Sequence, residues 1–203
     1  AHFTDATFDR TQLQPLQRHL LGTSERARKI AFGMDFSFLL DGTRGFLSIG
    51  YRLDEGELDS SCYDLLASEA RLTSLFAIAK GDVRSSHWFR LGRPIVDVNW
   101  QAALASWSGS MFEYLMPPLV MHERRGGLLS QTNRLAIARQ ISYGRTHEVP
   151  WGISESAFNA RDRDLNYQYR NFGVPSLGLK RDLISDLVIA PYATALATQF
   201  VPA

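Results

Sequence analysis

The sequence predicts a mainly α-helical domain carrying one β-hairpin, and three observations lead there. Apolar residues recur at helical steps of three and four in separate segments near residues 13–31, 60–80 and 128–145. One stretch, FSFLLDGTRGFLSIGYRL at 36–53, switches to β-rich runs flanking a tight Asp41-Gly42 pair. The 203 residues are 45% hydrophobic and 21% charged, an ordinary balance for a globular chain.

In the first helix Leu13, Leu16, Leu20, Ala27 and Ile30 share a face. Gly22 interrupts it, and Thr23 or Ser24 is placed to cap its second half. The hairpin follows, near 36–52. Residues 60–80 return to helix, with Cys62, Leu65, Glu69, Leu72, Phe76 and Ala79 on one stripe and Gly81-Asp82 as the stop. From Arg84 to Gly109 no clean period survives, which predicts loops with short elements. SMFEYLMPPLVM is a short apolar helix bent or stopped at Pro117-Pro118. Leu128, Leu135, Ala138 and Ile141 define the helix over 128–145. Val149 to Gly178 is aromatic and loop-like, and 181–199 is a last apolar helix that must accommodate Pro191. Five or six helices are thus joined by long aromatic loops, and loops of that length are uncommon unless they carry function.

A net charge of +1 gives no electrostatic case for nucleic acid or an anionic membrane. No apolar run approaches the roughly 20 residues of a membrane span, so the segment is not expected to insert directly. The single cysteine, Cys62, excludes an intrachain disulfide. The first residues, AHFTDA, and the last, ATQFVPA, read as cuts from a longer protein.

Metal sites are not expected. The five histidines form no i,i+4 pair and no HxH. DRDLN offers Asp162, Asp164 and Asn166 at calcium-loop positions, but Tyr167 and Gly173 stand where Gly and Glu are needed, so an exposed charged loop is expected. No cofactor-cradling glycine motif occurs. GISES falls one residue short of the GxSxG elbow that would make Ser154 a nucleophile.

Two glutamates remain. Glu69 sits on an otherwise apolar stripe, where it is either a buried partner for an arginine or a pocket-facing carboxyl with a raised pKa. Glu155, in VPWGISESAF, either caps a helix or is a functional carboxyl in an apolar loop. Glu113 falls on the flank of its helix and is expected to be structural. Loop aromatics, among them Trp88, Trp107, Trp151, Tyr167 and Tyr169, suit stacking on sugar rings, with arginines such as Arg93 clamping hydroxyls. Two carboxyls flanking a glycosidic bond are the chemistry of glycoside cleavage.

MDFSFLLD, FLSIGYRLDEGELDSSCYDLLASEARLTSLFAIAKGD, HWFRLGR, SWSGSMFEYLMP, PWGISESAF, YQYRNFGVPSLGLKR and DLVIAPYATALA together resemble, in the same order, the glycoamylase-like domain of cyclic β-1,2-glucan synthases. The likeness runs over roughly residues 27–198. It implies a single glycoamylase-like domain piece over 1–203, part of an (α/α)6 toroid, cut from a large bacterial inner-membrane synthase, with this segment soluble and cytoplasmic. It implies a linear β-1,2-glucan substrate closed into a ring by anomer-retaining transglycosylation, with no cofactor. A glycosyltransferase domain and a phosphorylase-like domain would be its partners in the parent chain. An endo-β-1,2-glucanase and a non-catalytic glucan-binding fragment are the alternatives. By the same likeness the glutamate of GISES, Glu155, is the acid/base and that of LLASEARL, Glu69, the nucleophile. The incomplete helical ring would leave apolar helix faces exposed or covered by another copy.

Overall fold

The computed structural model describes residues 10–181, 183 and 187–200. It is helix-rich, with short antiparallel strand pairs.

Helix α1 spans Arg10–Gly33 without a break at Gly22, so no second cap is needed. Propensity explains this: a glycine costs about 1 kcal/mol in a helix interior, too little to break 24 residues. Leu16, Leu20, Leu21 and Ile30 are more than half exposed. At its end Phe32 and Phe36 meet Phe76 edge-on, at 6.1 and 6.0 Å between ring centres.

The expected hairpin at 36–52 is only partly there. Asp41 closes a turn by accepting the N–H groups of Thr43 and Arg44 at 2.8 and 2.9 Å, and a single bridge joins Leu40 to Leu47. The strand that leaves the turn pairs forward instead. β1 (Leu47–Ser48) lies against β4 (Cys62–Tyr63), and between them β2 (Tyr51–Arg52) pairs with β3 (Glu57–Leu58). The helix expected over 60–80 therefore loses its first half, where Cys62–Tyr63 is strand and the residues up to Ala70 are mostly bends and turns. Only α2 (Arg71–Lys80) is helical, ended by Gly81 at φ +89.

After α3 (Ser86–Arg90) come β5 (Ile95–Val98) and β6 (Gln101–Leu104), a hairpin whose two-residue turn holds Asn99 and Trp100 at φ +54 and +62. α4 (Met111–Leu115) stops at Pro117, as expected. α5 (Leu128–Thr146) matches its expected range, and its buried face includes Leu135, Ala136 and Ile137. β7 (Ser156–Arg161) and β8 (Tyr167–Arg170) form a bulged hairpin inside the stretch expected to be loop. The last helix, α6, covers only Pro191–Ala197. Pro191 is its first residue, where a missing N–H costs nothing. Residues 182 and 184–186 of the longer helix expected there lie outside the described residues.

The main core gathers Leu104, Met111, Tyr114, Leu115, Ile137 and Ile153 from β6, α4, α5 and the loop before β7. Upon it two loops lie flat against each other. A Cβ on Gly173 would sit 2.0 Å from the Ser108 carbonyl oxygen, and one on Gly109 2.4 Å from that of Val174. The glycines of SWSGS and NFGVPSLG are thus demanded by backbone contact. That contact fixes the loop carrying Trp107.

Candidate active site

The turn before α2 carries Glu69, so its position comes from a β strand, a turn and a helix start, not from the middle of a helical stripe. Glu69 faces a cleft of about 540 Å³ whose lining includes Tyr63, Asp64, Trp107, Glu113 and Asn171. Burial raises its pKa most, and the charge of Glu113 adds to that, while its own backbone N–H and the Ser68 hydroxyl at 3.2 Å pull it down. Among the described residues no arginine or lysine is paired with it. Arg71, two residues on, turns away to Glu123 at 2.9 Å.

Glu113 forms the cleft floor and is fully engaged. Its carboxylate accepts the Ser106 and Ser108 hydroxyls, each at 2.7 Å, and the Ser108 and Ser110 N–H groups at 3.1 and 3.0 Å. Four donors on one buried carboxylate make it a brace for the Trp107 loop, the structural role expected of it.

Glu155 follows Ser154 at the entry to β7. Its N–H donates to the Ser110 hydroxyl at 3.1 Å and its carbonyl accepts the Tyr192 hydroxyl at 2.7 Å. Its side chain is raised by burial and then by the charge of Glu69, against which the Tyr169 hydroxyl acts. Glu155 is not among the residues lining the cleft, but Tyr63 is. The Tyr63 phenol is raised by burial and by both Glu69 and Glu155. Tyr63 thus stands in the field of the two carboxyls. The Tyr169 phenol is itself pushed up to about 12, by burial and the Glu155 charge.

The structure assembles some of the expected residues and separates others. Glu69 and Trp107 share the cleft, while Glu155 and Tyr169 are outside its lining and interact with each other. Trp88 and Trp151 are half-buried against the main core. Arg93 spends its guanidinium on the carbonyls of Trp88, Phe89 and Leu91, closing the end of α3. Tyr167, toward the hairpin turn, accepts the Arg161 guanidinium at 2.6 Å and is covered by it. In DRDLN, Asp162 accepts the N–H groups of Asp164 and Asn166 and so closes the β7–β8 turn. Tyr63, Asn171 and Tyr192 were not legible as site residues. Tyr63 lies in a segment whose spacing predicts a helix that does not form there, and Tyr192 in a predicted helix that starts only at Pro191.

The arrangement can move protons. Two carboxyls with raised pKa values, one open cleft and an exposed tryptophan fit acid/base work on a hydroxyl-rich ligand.

Residues 61–203 match the Glycoamylase family, described as "Putative glucoamylase". The chain is also 63% identical over 202 residues to the "Cyclic beta-(1,2)-glucan synthase NdvB" of Rhizobium meliloti (strain 1021). All of this chain is covered, but it spans only 7% of that protein. With a family match over more than half its length, the chain belongs to the Glycoamylase family.

Proposed function

We propose that residues 1–203 are a glycan-active domain of a cyclic β-1,2-glucan synthase that closes linear β-1,2-glucan into a ring by retaining transglycosylation. The observation that carries this reading is the pair Glu69 and Glu155, both raised by burial and both acting on Tyr63 beside the cleft. The identity to the synthase supports the substrate class. A partial (α/α)6 toroid is the architecture that goes with it. Linear glucan would come from a glycosyltransferase part of the parent, and a phosphorylase-like part would trim it. The parent belongs in the bacterial inner membrane with this segment on the cytoplasmic side; no helix among the described residues is long and apolar enough to cross a bilayer.

In a retaining double displacement one carboxyl protonates the departing oxygen while the other, ionised, attacks the anomeric carbon. The glycosyl ester is then opened by a hydroxyl of the chain's other end, whose proton passes to the first carboxylate. Burial raises both carboxyls, but the Glu69 N–H, the Ser68 hydroxyl and the Arg71 charge favour the ionised form of Glu69. The charges of Glu69 and Glu113 instead raise Glu155 further, against the Tyr169 hydroxyl. The roles are those that the family likeness implies: Glu155 carries the proton and Glu69 is the nucleophile.

Incubation with linear β-1,2-glucan tests the reading. Rings are expected, and Glu69→Gln or Glu155→Gln should each lower turnover by roughly a hundred- to ten-thousandfold while glucan still binds. Shorter linear chains would make the domain an endo-β-1,2-glucanase, and binding with no turnover a glucan-holding module. A dinitrophenyl leaving group needs no proton. It should rescue Glu155→Gln and not Glu69→Gln, and the opposite pattern would exchange the two roles.

A further inference from the structure

Four hydrogen bonds around Glu155 close on themselves. The Glu155 N–H meets the Ser110 hydroxyl at 3.1 Å, which meets the Ser154 hydroxyl at 2.8 Å. Ser154 meets the Tyr192 hydroxyl at 2.9 Å, and Tyr192 returns to the Glu155 carbonyl at 2.7 Å. Distances alone leave the proton positions in the two middle bonds undefined, but proton counting does not. A carbonyl only accepts, so the single Tyr192 proton goes to Glu155. Ser154 must then donate to Tyr192, having no other proton for that bond. Ser110 in turn must donate to Ser154, and the Glu155 N–H donates to Ser110. Every bond points the same way around the ring. The Phe112 N–H, donating to Ser154 at 3.0 Å, occupies the lone pair that Ser110 leaves free.

We propose that Ser110, Ser154 and Tyr192 are positioning residues that hold the Glu155 peptide in a one-directional hydrogen-bond ring and thereby aim its carboxyl. The inference deepens the proposed function and rests on Glu155 being one of the reacting carboxyls. Three separate elements supply the ring: the start of α4, the loop before β7, and α6. Ser110 and Ser154 are fully buried, so a broken bond there has no water to replace it. Bonds that all run in one direction polarise one another, so the ring acts as a unit. Within the ring the Ser154 proton is committed to Tyr192, and among the described residues no histidine is its partner.

Tyr192→Phe removes one oxygen at a partly exposed position and keeps the fold's shape. Amide exchange in this chain reads the ring without any substrate. The Glu155 amide should exchange about five- to tenfold faster in Tyr192→Phe and in Ser154→Ala, with α5 protection unchanged. The double variant should be no worse than the worse single one, because either break opens the same ring. In the glucan assay kcat should fall roughly ten- to hundredfold with KM within about twofold. An unchanged Glu155 amide beside intact α5 protection overturns the proposal, as do losses that add in the double variant or a rise in KM alone. If the wild-type chain leaves glucan untouched, the proposed function falls, while the exchange measurement still decides the ring.

Discussion

Glu69 and Glu113 face the same cleft with opposite surroundings. Glu113 collects four hydrogen-bond donors from the Ser106–Ser110 loop, while Glu69 has the Ser68 hydroxyl and its own N–H against the cost of burial. A carboxyl held above its ordinary value costs the fold free energy once it ionises. The folded protein therefore gains from Glu69 being protonated: its relative stability is full below about pH 4.5 and is lost as pH rises through the higher folded-state value. Glu69→Gln should accordingly raise the melting temperature at pH 7, and the gain should shrink to nothing as the pH falls below 4.5. Thermal melts at a series of pH values check this. A destabilisation at pH 7 would show that the carboxylate is held by partners, and a stabilisation that persists at pH 3 would show that the gain comes from the amide's own contacts and not from removing the charge.

Elements were legible where one sequence segment decides its own structure. α5 and the Pro117 stop of α4 follow from local period and proline chemistry alone. The half-helix over 60–70 does not form because Cys62, Leu65 and Glu69 keep a helical spacing whichever partner they meet, while Ser48 and Leu47 of β1 pair with Cys62 and Tyr63. β7 alternates between half-buried and exposed residues and β8 is exposed throughout, so neither strand has the fully buried apolar face that marks a strand in sequence. Glu155 itself was visible, as a carboxyl in an apolar loop, but its hydrogen-bond ring needed Tyr192, 37 residues on. β5–β6 was missed for a sharper reason. Its turn is Asn99-Trp100, where the left-handed pair usually reads Asn-Gly. The Trp100 side chain is 97% exposed, and the bond from its backbone N–H to the Asp97 carboxylate at 3.2 Å would survive in glycine, so no side-chain contact offsets its φ of +62. A non-glycine residue there costs about 1–2 kcal/mol, part of which glycine returns through its larger unfolded-state freedom. Trp100→Gly should therefore stabilise the chain by up to about 1 kcal/mol in urea unfolding. A loss of stability would mean that the tryptophan has contacts in solution that the fold does not show.

At the scale of the whole molecule, one guanidinium joins the cleft wall to the helices behind it. Arg71, 1% exposed at the start of α2, donates to the carbonyls of Ser68 and Glu113 at 3.1 Å and Tyr114 at 3.2 Å. It also pairs with Glu123 at 2.9 Å, and the other Glu123 oxygen accepts the Asn133 amide of α5 at 2.7 Å. The Glu69 turn, the end of α4, the segment after it and α5 thus share one hub. Burying such a charge is costly, and this one is tolerated because its carboxylate and three carbonyls answer it together. Arg71→Met would leave Glu123 charged and buried and three carbonyls without a donor, a loss of about 3–5 kcal/mol. Arg71→Lys should recover little, since a single ammonium cannot span four acceptors placed for a planar fork. Adding Glu123→Leu to Arg71→Met removes the orphaned charge but not the orphaned carbonyls, so the double variant should recover only part of the loss. Denaturant unfolding of the four proteins measures the split. Full recovery in the double variant would reduce Arg71 to an ion-pair partner, and the four elements would then be held together by the apolar core alone.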